Sequence, residues 1–591
     1  MWRRGLASVC LAGLLSVAGA MGQGTTNLIT GSITSDATWT GTNLLRGTVT
    51  IESNVTVNIN PGTRMLMSNS VVLMVRGRLL ANGTSNAPIL FTRATTTAPW
   101  GRIMFDRAAP SRLRYCIIEH ANSVGDHQSY YPSTSCNPPT FAPRNYHEAV
   151  VCLAGHLDIE GCTFRNLPAA GGEGDAIAII SDHPDPTNTN SWNSASANIQ
   201  GCQFLGIGQG VHTRYAYVLV ENCYFTNKFG DNDCIDLYGE SNPTPLIQNN
   251  LIFPVHEDAI NPTRCSARII GNIIAGGDDQ GIVLRDKCSP VVMNNLVFSI
   301  RNGGLSSQNQ CDALLVNNTV VNCGIGLRFI FHSDRLTPPY CLSSAAARAT
   351  IINCVIWDCP SSITMNESDD PGSRALITFS NIEGGQGSIA VSGNSSYTWG
   401  NGNISADPMF VSTPLTNVHL RPGSPCIDSG TNVTLLVSND FDRVPRPLDG
   451  NGDNTAAYDM GAFEFLLTTA DSNGDGIPDG WTWSYGLNPT DPNVGNGNPD
   501  GDPHTTFQEW VAETNPTNAA SHFRISSITS DAGKTVHFLS SSNRNYTLQH
   551  SAEIPVTWSS VTTQRGKGGT DSLNHTNGGP QGFYRIRVDL P

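Results

Sequence analysis

A repeat of about 22 residues constrains this chain more than any other feature. Eight segments carry it: IEGCTF, IQGCQF, VENCYF, IQNNLIF, IIGNIIA, VMNNLVF, LVNNTVV and IINCVIW. Each sets a small polar residue between apolar runs: Cys162, Cys202, Cys223, Asn250, Asn272, Asn295, Asn318 and Cys354. The successive spacings are 40, 21, 27, 22, 23, 23 and 36, and the wider gaps hold insertions. Cys116 in RYCIIEH and Asn381 in FSNIEGG extend the register at either end. The period is too short for propeller blades, and the segments lack helical spacing. Short apolar runs between Gly and Asn turns fit the coils of a parallel β-helix, with equivalent residues stacked about 4.8 Å apart. A buried Asn recurring at one position satisfies its amide along the stack; left alone, that amide would cost about 1–3 kcal/mol. Cys fits the same slot as a small buriable side chain.

A second stack supports this register. Cys265, Cys288 and Cys311 are spaced by 23, each seven residues before a ladder Asn. They read as inert stacked thiols. Of the 16 cysteines, Cys10 lies in the leader described next. The remainder is odd, so at least one thiol is free or bonded to another molecule.

The first twenty residues read as a secretory signal: basic Arg3 and Arg4, a short apolar run, then Ala18-Gly19-Ala20 as a cleavage pattern. No later stretch is apolar enough for a membrane span, so the mature chain is expected to be secreted or held at the cell surface. At 591 residues the chain exceeds one ordinary core. Only 14% of residues are charged, with 58 Gly and 35 Pro, a turn-rich β composition. The net charge of -15 opposes nucleic-acid binding and suits divalent cations.

The coil pattern resembles the right-handed parallel β-helix repeat proteins of the pectin-lyase-like superfamily, over residues 24–465. That resemblance implies the right hand. ADPMFVS, HLRPGSPCIDSG and the run to GAFEF resemble the choice-of-anchor Q type C-terminal region of exported β-helix proteins. The expected order is a signal at 1–20, a β-helix at 24–400, an exit region at 401–465, a calcium-loop segment at 471–520 and a small antiparallel β-sandwich at 523–591. The fold class is all-β. The sandwich is read from the alternation in VHFLSSS, YTLQHS, VTWSSV and FYRIRV.

In the calcium segment, Asp471, Asn473, Asp475, Ile477 and Asp479 place oxygen donors at alternate positions with Gly476 at the turn. Hard cations want six to eight oxygens, and this spacing converges them. Thr482 stands where a bidentate Glu is expected. A second loop offers Asn498, Asp500, Asp502, His504, Thr506 and, at position 12, Glu509, with Pro503 where the turn Gly belongs. The segment resembles thrombospondin type 3 or dockerin-like repeats, which implies structural Ca²⁺.

Candidate chemistry lies where outward side chains of neighbouring coils stack. Aligning coils on Ile177, Val211, Ile235, Ile260, Ile282 and Leu305 puts Asp233, Asp258 and Gln280 in one column. The same alignment sets His212 beside Asp236, and Arg214 beside Tyr238. Asp233 and Asp258 would approach within about 5 Å. Two such carboxylates hold a cation or raise one pKa, as acid/base pairs require. The candidate catalytic residues are Asp233, Asp236, Asp258, His212 and Arg285. GDNDCIDL and GGDDQG resemble the paired-Asp strands of polygalacturonase-type glycosidases, without their Gly-His-Gly and Arg-Ile-Lys elements. In a β-helix polysaccharide lyase, His212, Tyr238 or Arg285 would serve instead. The expected function is binding and cleavage of extracellular polysaccharide or cell-surface glycan. The alternative is a structural or adhesive surface protein with calcium-stiffened terminal modules.

Overall fold

The computed structural model describes residues 26–96, 98–121, 148–167, 175–181, 194–226, 233–253, 256–332, 346–365, 371–412, 417–530, 533–577, 579 and 581–591, with the backbone alone at 128–136 and 139–145. The proposed signal lies outside these residues, as does most of the 182–196 insertion. Among the described residues no helix is long and apolar enough to cross a membrane.

The chain divides into two units: residues up to Thr431 with Asp440–Asp442 and Asp459–Phe463, and the remainder to Pro591. The first is a parallel β-helix. Each regular coil gives three short strands, one to each of three faces. The first face follows Arg64–Met67, Ile89–Arg93, Cys116–Glu119 and onward. The second follows Val72–Val75, Arg102–Asp106, Glu148–Leu153 and onward. The third is a 14-stranded sheet from Ala37–Trp39 to Ser396–Trp399. The first two faces join through Thr42–Ile51, which pairs with a strand of each.

Strands are short because the chain must turn a corner every few residues, and inward positions alternate with outward ones. Inward Val, Ile, Leu and Phe form one continuous core. Phe164, Phe204 and Phe225 stack within it at centroid distances of 5.1 and 4.4 Å. A polar ladder runs along the corner between the third and first faces. Asn250 donates from its backbone N–H (3.0 Å) and its Nδ2 (2.9 Å) to Asn272 Oδ1. Asn272 does the same to Asn295, and Asn295 to Asn318. Each amide also donates to a backbone carbonyl, as Asn295 does to Ile269 O at 2.9 Å. Both hydrogens and the oxygen of every such amide are therefore engaged, although the four side chains are buried.

The ladder corner has a second requirement. The residue before each ladder position adopts positive φ: Gly161, Gly201, Asn222, Asn249, Gly271, Asn294, Asn317 and Asn353. Gly enters that region freely and Asn at low cost, which accounts for the Gly/Asn preceding the slot. This rule also corrects one expectation. Ser380, not Asn381, continues the ladder: Phe379 carries the positive φ, and Ser380 Oγ accepts from Cys354 N at 3.0 Å. Asn403 follows, accepting from Ser380 N at 2.9 Å. Asn381 sits one place later, where its amide donates to Ala406 O.

The thirteen described cysteines are all reduced and buried. Cys288 and Cys311 stack with Sγ atoms 3.1 Å apart. Burial pushes the Cys354 thiol up to about 11, so it is a protonated spacer at neutral pH. At the exit end, Asp459–Phe463 returns along the coils. Asn317 Nδ2 donates to Asp459 O and Gly461 O, and Gly461 N donates to Asn353 O. Gly461 has φ 93°, and a Cβ there would lie 2.7 Å from Thr319 Oγ1, so glycine is required.

The second unit contains two short helices, Asp479–Ser484 and Thr506–Ala512, and two antiparallel three-stranded sheets. The sheets enclose Val536, Phe538, Tyr546, Leu548 and Leu573. The chain is thus all-β in its body, with parallel coils and small antiparallel sheets at the C-terminus.

Candidate functional site

The second face carries the expected cluster. Val211 pairs with Ile235, and Ile235 with Ile260; all three point inward. Their outward neighbours are set by the same register: His212 opposite Asp236, Asp236 opposite Asn261, Arg214 opposite Tyr238 and Tyr238 opposite Thr263. Outward here does not mean exposed. His212 is 6%, Arg214 9% and Asn261 4% exposed. On earlier coils the same outer face is apolar and covered, with Val72, Met74, Met104, Val151, Ala178 and Ile180 packed together. The face therefore changes from apolar to polar at His212.

His212 Nδ1 lies 3.0 Å from Asp236 Oδ2. Arg214 Nη2 is 3.8 Å from the same oxygen, and its guanidinium lies 4.6 Å from the Tyr238 ring centroid. That stacking fixes the planar group. Burial, then the Arg214 charge, lowers the His212 pKa from 6.5, against the pull of Asp236. The imidazole is neutral at neutral pH and able to accept a proton.

A second group occupies the corner before these strands. Asp233, Glu257 and Asp258 each bring one oxygen within 4.8 Å of the others. Asn261 Nδ2 donates to Asp233 Oδ2 at 2.6 Å. Arg285 Nη2 donates to Asp258 Oδ2 at 3.1 Å, and Arg285 Nε to Gln308 Oε1 at 3.0 Å. Burial, then Asp233, pushes the Asp258 carboxyl well above the usual range. All five sequence-derived candidates thus stand on adjacent coils, in two groups: His212 with Asp236, and Asp233 with Asp258 and Arg285. Asn261, Gln280 and Gln308 were not given roles from sequence. Their signal was present, since each sits in register with a named residue on the neighbouring coil.

The terminal loops differ from one another. In the first, Asp471 accepts from Asp475 N and Gly476 N, Asn473 from Asp475 N, and Asp475 from Ile477 N and Gly495 N. Asp479 is held by Ser472 N and Oγ. Backbone and hydroxyl donors engage these oxygens. In the second, Asp500, Asp502 and Glu509 bring oxygens within 4.8 Å of one another. Asp500 Oδ2, Asp502 Oδ2 and Glu509 Oε2 are buried without a hydrogen-bond partner, and His522 Nδ1 lies 3.6 Å from Asp502 Oδ2. Asn498 faces the turn, accepting from Gly501 N and donating to Asp502 O. The His504 N–H donates to Asp502 Oδ1. A capping box at Thr505 and Gln508 starts the helix that carries Glu509. Burial pushes the Glu509 carboxyl up to about 7.

Residues 227–337 match the family described as right handed beta helix region, which gives the solenoid its hand. No curated protein matches the chain. Among solved structures it is similar to the periplasmic alginate epimerase AlgG, at 11% identity and TM-score 0.27, covering 60% of this chain and 78% of that one. A mutant of the same epimerase gives 10% identity and TM-score 0.35, covering 62% and 77%. The chain is a right-handed parallel β-helix protein with a polar cluster on its second face.

His212 supplies a test by pH. Its folded pKa lies below the unfolded value near 6.5, so the unfolded state takes up its proton first. Stability from this group is present above pH 6.5 and falls as pH drops from there toward the folded pKa. His212→Gln is expected to flatten that fall in melting temperature between pH 7 and pH 5, with little change at pH 8. Melting curves across that range check it.

Proposed function

We propose that this chain is an exported protein that binds extracellular polysaccharide on the second face of its β-helix and acts on it by acid–base chemistry. One observation carries the proposal: a neutral, buried imidazole 3.0 Å from a carboxylate, beside an aromatic-stacked guanidinium, on adjacent coils. His212 has the state of a general base, Asp236 orients it and stabilises its protonated form, and Arg214 offers charge to an acidic sugar. Arg285 and the Asp233–Asp258 corner flank them. An anionic polymer suits the guanidinium groups despite the chain's net charge of -15, because the positive charge is local.

The experiment is a glycan array paired with a degradation screen over pectic, alginate and glycosaminoglycan substrates. The parent is expected to bind and process at least one acidic polymer. Asp236→Ala and His212→Ala should each lower turnover at least 100-fold, while Arg214→Ala should chiefly weaken binding. A parent that neither binds nor processes any polymer would leave the solenoid as a spacer for an adhesive protein.

Calcium belongs to the same proposal. Asp500, Asp502 and Glu509, with Asn498 and the His504 carbonyl, would hold one ion; the buried carboxylate oxygens without hydrogen bonds support the fit. Asp471, Asn473, Asp475, Ile477 and Asp479 would hold another once the ion replaced their present donors. The ion would neutralise three carboxylates and stiffen the segment. EDTA is expected to lower the melting temperature, and Asp475→Ala with Asp502→Ala to remove that sensitivity. A melting profile indifferent to EDTA would refute calcium stiffening.

A further inference from the structure

Residues 523–591, which hold the two antiparallel sheets, differ in charge from the rest of the chain. They carry seven Lys and Arg against four Asp and Glu, in a chain of net charge -15. Three of the seven stand on one sheet face. The central strand Asn545–Ser551 pairs antiparallel with Ser559–Arg565 on one side and with Phe583–Asp589 on the other. Directly paired residues of neighbouring strands share a face. Tyr546 and Leu548 lie in the core between the sheets, and their partners Val588 and Ile586 pack against it. The alternate residues therefore point away from that core. Gln549 is flanked there by Ser560 and Arg585, and Thr547 by Thr563 and Arg587. Arg565, paired with Asn545, ends the same face.

The three arginines are exposed, yet each is anchored through its Nε. Arg585 Nε donates to Gln549 Oε1 at 2.7 Å, Arg587 Nε to Asp589 Oδ2 at 2.8 Å and Arg565 Nε to Ser542 O at 2.7 Å. Among the described residues their Nη groups have no hydrogen-bond partner. Arg585 is further fixed by Trp558, whose ring centroid lies 4.4 Å from the guanidinium carbon. The connecting loop turns back on the strand it leaves, with Thr557 N donating to Ser551 Oγ at 3.0 Å, and so sets Trp558 over this face. Folding does not call for this arrangement. Arg585 and Arg587 are alternate residues of one strand, about 7 Å apart, and like charges so placed repel. Asp589 is the only acid paired with them among the described residues.

We infer that this outer sheet face binds an acidic polysaccharide, with the arginines on its carboxylates and the exposed hydroxyls of Thr563 and Ser560 on its sugar hydroxyls. A planar guanidinium matches a carboxylate in fork geometry, and one held by an aromatic ring and an amide loses little freedom on binding. Neutral hydroxyls interleaved with the guanidinium groups suit a polymer that carries both kinds of group. Nucleic acid fits less well, since its dense phosphates ask for a larger basic footprint and the chain's net charge repels them. The face is separate from the His212–Asp236 cluster and does not depend on that cluster being catalytic.

Affinity electrophoresis of the full-length chain through gels holding polygalacturonate, alginate or neutral dextran tests it, followed by calorimetry on the polymer that retards it most. The parent and its Arg214→Ala variant are both expected to be retarded by at least one acidic polymer and not by dextran, less so as NaCl rises. Arg585→Ala with Arg587→Ala should weaken that binding at least tenfold in either background. The circular dichroism spectrum should stay unchanged, because neither side chain enters the core. Arg585→Lys, which keeps the charge and loses the fork, should weaken binding severalfold. The inference is overturned if the double variant is retarded as strongly as its parent, or if no acidic polymer retards the parent. Preference for duplex DNA or phosphatidylserine vesicles over every acidic polymer would also overturn it. Binding lost with Arg214→Ala alone and unaffected by the double variant would overturn this inference and leave the β-helix reading standing; the opposite pattern would do the reverse.

Discussion

The amide ladder is the interaction on which the rest depends. A β-helix coil has no hairpin to fix its register; each strand meets a strand about 22 residues away. A slip of one residue would turn every inward side chain outward. The Asn250–Asn272–Asn295–Asn318 column opposes that slip, because each amide must find the next at one height and one corner. Displacing a rung leaves buried donors without acceptors, at about 1–3 kcal/mol each. Positive φ at the preceding residue gives the corner its shape, so Gly or Asn before the rung is part of the same device. Toward the N-terminus Cys takes over the slot. Cys223 N reaches Asn250 Oδ1, while the thiols of Cys162 and Cys202 donate weakly to carbonyls of the previous coil.

The polar cluster follows from that register. His212 and Asp236 are 24 residues apart in sequence and 3.0 Å apart in space because Val211 and Ile235 are paired beneath them. The strands supply position, and burial supplies chemistry. Ala178 and Ile180 are buried in an apolar patch, and burial at His212 favours the neutral imidazole. The outer face of one sheet thus changes character along its length by substitution at fixed positions, with no change of backbone.

Much of this was legible in the sequence. The stacking order of the coils from Ile177 to Leu305 is reproduced by the strand pairing, because β-branched inward residues recur with little ambiguity. The exit of the ladder was less legible. Asn381 looks like a rung by residue type, but the rung is set by the positive φ at Phe379, a position where neither Gly nor Asn gives warning. Burial of the outward face was not legible either. Alternation says which way His212 points, not what lies over it. The difference between the two terminal loops was equally hidden: backbone N–H groups engage oxygens of both, yet in the second one oxygen each of Asp500, Asp502 and Glu509 is buried without a hydrogen bond.

The central claim is that a ladder-set register brings residues of successive coils into one site. Cysteine cross-linking measures that register directly. On the third face Gln200 and Glu221 are paired and their side chains are hydrogen-bonded at 2.9 Å. The double variant Gln200→Cys with Glu221→Cys should form a disulfide on mild oxidation, seen as a linked peptide pair after proteolysis. Gln200→Cys with Leu219→Cys, two residues out of register, should remain reduced. Preferential cross-linking of the second pair would contradict the register, and with it the assembly of His212, Asp236 and Asp258 on neighbouring coils.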